Sequence, residues 1–82
     1  MVELIFEKEF KHKFCKIKDR LIKEKIIKQT SKIKENPEIG KPMRYSRKGT
    51  REIYIPPFRL SYIYDISNKT IYILDIYHKD EQ

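Results

Sequence analysis

The spacing of apolar residues changes once along the chain, and the place of that change restricts the fold more than any other feature. Up to residue 35 the apolar positions recur at helical intervals. Phe6, Phe10 and Phe14 lie four apart, and Ile17 and Leu21 follow at three and four. Ile22, Ile26 and Ile33 repeat at four and seven, with Thr30 in the intervening turn. The two stripes are out of phase by about one residue. The spacing therefore predicts two helices joined near Cys15–Lys18 rather than one straight helix. Asn36-Pro37 ends the second, because a residue before proline is pushed out of the α region. Gly40 and Pro42 then continue in a loop.

From Arg51 the period becomes two. Ile53 and Ile55 alternate with Glu52 and Tyr54, and Pro56-Pro57 turns the chain. Phe58, Leu60, Tyr62, Tyr64 and Ile66 alternate with Arg59, Ser61, Ile63 and Asp65. Ser67-Asn68-Lys69 has hairpin-turn composition. Thr70 to Tyr77 is apolar on both faces, as a central strand is. Val2 to Phe6 adds a short first strand. The predicted order is β-α-α-β-β-β. That is an α+β fold with two helices packed on one face of a small, mostly antiparallel sheet. The 82 residues are expected to form a single domain over 1–82. A chain of this size buries only about 60% of the surface its unfolded form exposes.

This layout leaves the second face of the sheet open. Phe58, Leu60, Tyr62 and Tyr64 should face the helices. Arg59, Ser61 and Ile63 should face outward, with Glu52 and Tyr54. On the last strand the outward set is either Ile73, Asp75, Tyr77 and Lys79 or the complementary set ending in His78. Alternation alone does not choose between them.

Charge singles out one segment. Lys41, Arg44, Arg47, Lys48, Arg51 and Arg59 stand against one acid, Glu52, whereas the rest of the chain holds 13 bases and 11 acids. All the arginines except Arg20 lie between 44 and 59. Arginine grips phosphates through a two-pronged fork, so this segment points to a polyanionic partner. A solvated basic loop, or a surface for an acidic protein, is the plainer reading. The net charge of +7 excludes an acidic chaperone-like or calcium-binding protein. No apolar run approaches the roughly 18 residues of a membrane span. Glu3 interrupts the N-terminal stretch where a signal peptide carries a base, so the expected location is cytoplasmic. Cys15 is the single cysteine and is expected to be a small buried residue. His12 and His78 lie far apart, and no metal or cofactor is expected.

Four segments in order carry a resemblance. Asn36-Pro37-Glu38-Ile39-Gly40-Lys41-Pro42-Met43-Arg44 resembles the helix-ending stretch of the RelE/ParE toxin superfamily. Lys48-Gly49-Thr50-Arg51-Glu52-Ile53 is similar to its "K-G-x-R-E-apolar" strand, and Phe58-Arg59-Leu60-Ser61-Tyr62 to its "Y-R-apolar-x-Y" strand. Ile73-Leu74-Asp75-Ile76-Tyr77-His78-Lys79-Asp80 is similar to its closing apolar strand followed by "H-R-D". The likeness runs over roughly the whole chain.

The resemblance implies the toxin of a type II toxin–antitoxin pair. Its RelE branch cuts mRNA in the ribosomal A site, and its ParE branch poisons DNA gyrase. Both are silenced by an antitoxin that wraps around the toxin. The leading expectation is a ribosome-dependent mRNA endonuclease that inhibits translation by metal-independent 2′-hydroxyl attack. The alternatives are a ParE-type gyrase inhibitor and an inactive relative that binds only its antitoxin or operator DNA. The expected partners are a RelB-like antitoxin in a hetero-oligomer, the ribosome and mRNA, and no membrane.

Such cleavage needs a group to take the 2′ proton, a group to protonate the leaving 5′ oxygen, and cations beside the phosphate. Arg59 matches the family's strand arginine and is the first candidate for the phosphate; its plainer reading is a surface arginine paired with Asp75. Lys79 stands where the family usually has arginine, and keeps the charge without the fork. His78 matches the family's histidine, a residue type that can serve as acid or base. Glu52 is either a general base or the partner of a nearby arginine. Glu52 and Tyr54 stand where some RelE toxins carry two lysines. Tyr54 and Tyr77 either stack on bases or cover the sheet. Lys41, Arg44, Arg47, Lys48 and Arg51 are the candidate RNA and ribosome contacts. The terminal tyrosine of many relatives has no counterpart in Asp80-Glu81-Gln82.

Overall fold

A computed structural model describes residues 2–42 and 49–81. The elements are β1 (Glu3–Phe6), α1 (Lys8–Lys16), α2 (Arg20–Glu35), β2 (Lys41–Pro42), β3 (Thr50–Ile55), β4 (Phe58–Asp65) and β5 (Thr70–His78), closed by a 3-10 turn (Lys79–Glu81). The five strands form one sheet in the order β1-β5-β4-β3-β2. β1 runs parallel to β5, and every other pair is antiparallel. The predicted α+β architecture is the one observed. The prediction had one strand fewer: β2 is a two-residue edge where a loop was expected, and Lys-Pro carries no apolar period to reveal it.

The break between the helices has a local cause. α1 ends at Lys16, and Asp19 caps α2, its Oδ1 accepting from the backbone N–H of Leu21 (2.9 Å) and Ile22 (3.4 Å). The restart rotates α2 so that Ile22, Ile26, Thr30 and Ile33 face the sheet. Leu21, the expected end of the first stripe, lies beyond the break and is 68% exposed. Phe6, Phe10 and Phe14 form a ladder with ring centroids 5.5 Å apart, the first from β1 and the others from α1. At the far end the Asn36 N–H closes on Lys32 O, and Pro37 prevents a further turn.

Both helices pack on one face. Phe10, Ile26 and Ile33 meet Ile55, Leu60, Tyr62, Ile71, Ile73 and Ile76 in one buried cluster. Leu4, Phe6, Phe14, Ile17, Ile22, Ile53, Phe58 and Tyr64 fill its margin. Cys15 is exposed rather than buried, because α1 turns Phe10 and Phe14 to the core instead.

A bulge decides the facing of β5, which alternation had left open. Ser61 pairs with Asp75 but Tyr62 pairs with Ile73, so Leu74 is an extra residue. Ile71 and Ile73 therefore share the helix side with Ile76, three residues on. The outward set is Tyr72, then Asp75 and Tyr77, a splice of the two alternating sets. The bulge sits where the β1–β5 ladder stops at the Phe6–Ile73 pair. There Lys13 of α1 reaches Asp75, with its Nζ 3.1 Å from Oδ1.

The segment ahead of β2 is locked from the core side. The buried Tyr62 hydroxyl donates to Pro37 O (2.7 Å) and accepts from the Gly40 N–H (2.9 Å). A Cβ on Gly40 would stand 2.5 Å from that hydroxyl oxygen, so the close approach requires glycine. Burial pushes the Tyr62 phenol up, against the lowering effects of the Gly40 N–H and of Arg51.

Candidate functional site on the open face of the sheet

Strand register gathers the outward residues into two adjacent rows. One row is Lys41, Glu52, Ser61 and Asp75, running across β2, β3, β4 and β5. The next is Tyr54, Arg59 and Tyr77. Lys41, Glu52, Tyr54, Arg59 and Tyr77 thus come from four strands to one surface. No single stretch of sequence contains them.

Glu52 is the hub. Arg59 Nη1 donates to its Oε1 at 3.0 Å, and the Tyr77 hydroxyl donates to its Oε2. The Glu52 side chain is only 15% exposed, against 36% for Arg59. A carboxylate so far out of water is retained because its charge is matched and its oxygens are bonded. The Arg59 guanidinium also lies 5.9 Å from the centre of the Tyr54 ring, within cation–π range. Tyr54 itself is 52% exposed. Arg59 Nε is buried without a hydrogen-bond partner among the described residues. The alternative pairing of Arg59 with Asp75 does not occur. Asp75 is taken by Lys13, which lies between Asp75 and Glu9 and whose ammonium is pushed up chiefly by its hydrogen bond to Asp75.

Two other candidates stand apart from this surface, and a third follows directly on its last strand. Arg51 has the opposite facing from Glu52 and lies beside Tyr62 in the ladder. Its Nη1 donates to Gly40 O (2.8 Å) and Glu38 O (3.1 Å). The guanidinium expected at a phosphate is thus committed to backbone carbonyls, and it holds the chain leading into β2. His78 pairs with Phe58 on the helix side, where the two rings meet edge to face at 5.7 Å. Its Nδ1 accepts from the Asp80 N–H at 3.3 Å. The alternation that turns Tyr77 toward Arg59 turns His78 away. Lys79 begins the 3-10 turn, with its N–H bound to Pro57 O (3.0 Å) and its side chain exposed. Arg44, Arg47 and Lys48 lie outside the described residues.

The Tyr77–Glu52 contact leaves no signal in the sequence. It depends on the bulge at Leu74, and an apolar residue among apolar neighbours does not announce one. Among the described residues no three His, Cys, Asp or Glu side chains gather as a metal site would need. No helix among them is long and apolar enough to cross a membrane.

Chemically, the surface offers a carboxylate with lone pairs to spare, a guanidinium with N–H donors unused among the described residues, an exposed ammonium at Lys41 and an exposed aromatic ring. That set suits a phosphate beside a nucleobase.

Known proteins share this fold. The RelBE toxin–antitoxin complex of E. coli contains a chain that superposes with a TM-score of 0.82 at 17% identity, covering 100% of both chains. The RelBE2 toxin–antitoxin complex of Mycobacterium tuberculosis gives 0.84 at 22% identity, covering 95% of this chain and 98% of the other. A YoeB/ParE toxin from Agrobacterium tumefaciens gives 0.83 at 17%, covering 94% and 98%. No curated protein matches significantly by sequence. The family model described as the ParE toxin of the type II toxin–antitoxin system parDE matches residues 4–82. The chain therefore belongs to the ParE toxin family of the RelE/ParE superfamily, and is a toxin of a type II toxin–antitoxin system.

Proposed function

We propose that the protein is a ribosome-dependent mRNA endonuclease whose active surface is the open face of the sheet. The observation that carries this reading is the meeting of Glu52, Arg59, Tyr54 and Tyr77 on a face that no helix covers among the described residues. In the proposed reaction a ribose 2′-oxygen attacks the adjacent phosphorus while Glu52 takes its proton. Arg59, with Lys41 nearby, balances the charge that builds on the phosphoryl oxygens. The bond to the 5′ oxygen breaks, and that oxygen takes a proton from Lys79, the exposed cation just past Tyr77. The products are a 2′,3′-cyclic phosphate and a free 5′-hydroxyl. Tyr54 provides a face for a base. His78 is not assigned the acid, because it points to the helix side with Phe58.

A RelB-like antitoxin is the proposed silencing partner. The net charge of +7 suits an acidic antitoxin, and structural neighbours were found in toxin–antitoxin complexes. Gyrase inhibition is the second reading. The matching family model is that of the ParE toxins, and by the resemblance of the strand motifs Glu52 and Tyr54 stand where some RelE toxins carry lysines. One pair of assays separates the two. Purified protein is added to ribosomes programmed with a defined mRNA, and to gyrase with relaxed plasmid. New RNA ends in the A-site codon with supercoiling intact support the nuclease. Blocked supercoiling with intact mRNA supports the gyrase reading.

A further inference from the structure

Tyr77 makes a contact that neither base stacking nor sheet cover requires. Its ring lies across from Arg59 in the β4–β5 ladder. Its hydroxyl extends to the neighbouring row and donates to Glu52 Oε2, while Arg59 holds Oε1. Two donors on two different oxygens fix both the position and the plane of a carboxylate. With only the arginine in place, the carboxylate could swing about that single bond. The guanidinium would then lose its own reference, because its Nε has no acceptor among the described residues. Its remaining restraint among the described residues would be the Tyr54 ring, which fixes a distance and not a direction.

We propose that Tyr77 is a positioning residue: its hydroxyl orients Glu52, and through Glu52 aims the unused N–H edge of Arg59 at the scissile phosphate. The ring serves to carry the hydroxyl across one row of the sheet. The bulge at Leu74 gives Tyr77 this facing, because without it the alternation set by Ile71 and Ile73 would turn Tyr77 to the helix side. The kinetic consequence rests on the nuclease reading. The orienting contact itself does not.

Tyr77→Phe is the decisive variant, because it keeps the ring and removes only the hydroxyl. The first arm reads the arginine side chain by NMR in the free, full-length toxin. Rotation of the Arg59 guanidinium about its Nε–Cζ bond should be slow in the wild type and several-fold faster in Tyr77→Phe, with backbone amide signals away from the site unmoved. The second arm is single-turnover cleavage on programmed ribosomes. There kcat should fall about tenfold and KM stay within about twofold, because geometry is lost and stacking is kept. Combined with Glu52→Gln, Tyr77→Phe should add almost nothing, since both act through one carboxylate. Unchanged guanidinium rotation overturns the proposal. It does so even if cleavage falls, because Tyr77 would then act on the RNA directly. Faster rotation with unchanged kcat also overturns it. If the wild type cuts no mRNA, the nuclease reading fails, and the NMR arm still decides whether Tyr77 orients Glu52 and Arg59.

Discussion

The two faces of the sheet use the same strands for opposite ends. Toward the helices, Leu60, Tyr62, Ile71, Ile73 and Ile76 are sealed from solvent against Ile26 and Ile33. Polar groups admitted there are structural: the Tyr62 hydroxyl and the Arg51 guanidinium both fasten the chain that leads into β2. On the open face the interactions are few and charged, centred on Glu52, with Arg59, Tyr54 and Tyr77 around it. Buried apolar area stabilises by roughly 25 cal/mol per Å² whatever its pattern. A charged cluster contributes little net stability after desolvation. The comparison teaches that stability resides on one side of the sheet and chemistry on the other, so the two should respond separately to mutation.

The largest expected effect is on the helix side. Ile73→Ala removes a fully buried side chain between β1 and β4 and should cost about 3–4 kcal/mol. A domain of this length has about 4–12 kcal/mol in total, so the variant should be near its unfolding threshold. Urea denaturation measures this. A loss below about 1 kcal/mol would mean that the helix side is not the stabilising face.

Tyr62→Phe should cost about 1–3 kcal/mol, because Pro37 O and the Gly40 N–H lose their shared partner. It also bears on pH. The Tyr62 phenol, raised chiefly by burial, and the Lys13 ammonium, raised chiefly by its bond to Asp75, hold their protons more tightly in the folded state. The stability they contribute is complete below the ordinary values of 10.0 and 10.5 and is lost as pH rises through the higher folded values. The melting temperature should therefore fall on entering that alkaline range. The fall should be shallower in Tyr62→Phe, and an equal fall in both proteins would remove Tyr62 from the account.

On the open face, Lys41→Ala should weaken binding to programmed ribosomes severalfold and reduce the slope of log affinity against log salt by about one phosphate contact. Its melting temperature should stay within about 2 °C, since the side chain is exposed. A slope equal to that of the wild type would remove Lys41 from the phosphate surface. The smallest effect is expected at Leu21, which lies on neither face of the sheet. Leu21→Gln should change stability by no more than about 0.5 kcal/mol, and a larger loss would show that the exposed end of α2 packs on something in solution.

Much of this division can be read in the sequence, and the parts that cannot have physical reasons. The change from helical to alternating period placed the helices and the long strands, because burial on one face writes that period directly. The same alternation turns Glu52, Tyr54 and Arg59 outward. Leu21 misleads because an apolar residue at the right interval is not buried once the helix has ended, and Cys15 because α1 turns Phe10 and Phe14 to the core instead. Composition groups Arg51 with the phosphate-binding cations, because it shows charge but not partners. In the fold its neighbours are backbone carbonyls. The facing of Tyr77 and His78 was undecidable, since every residue from Ile71 to Leu74 is apolar or aromatic and a bulge among them leaves no mark.

The account is tested most directly by Arg59→Lys on ribosomes programmed with a defined mRNA. Lysine preserves the charge beside Glu52 and so avoids stranding a shielded carboxylate, but it removes the fork that would hold the phosphate. The expected result is a loss of about 100-fold or more in A-site cleavage with a melting temperature within about 5 °C of the wild type. Cleavage at the wild-type rate by a folded Arg59→Lys protein would contradict the assignment of chemistry to the open face.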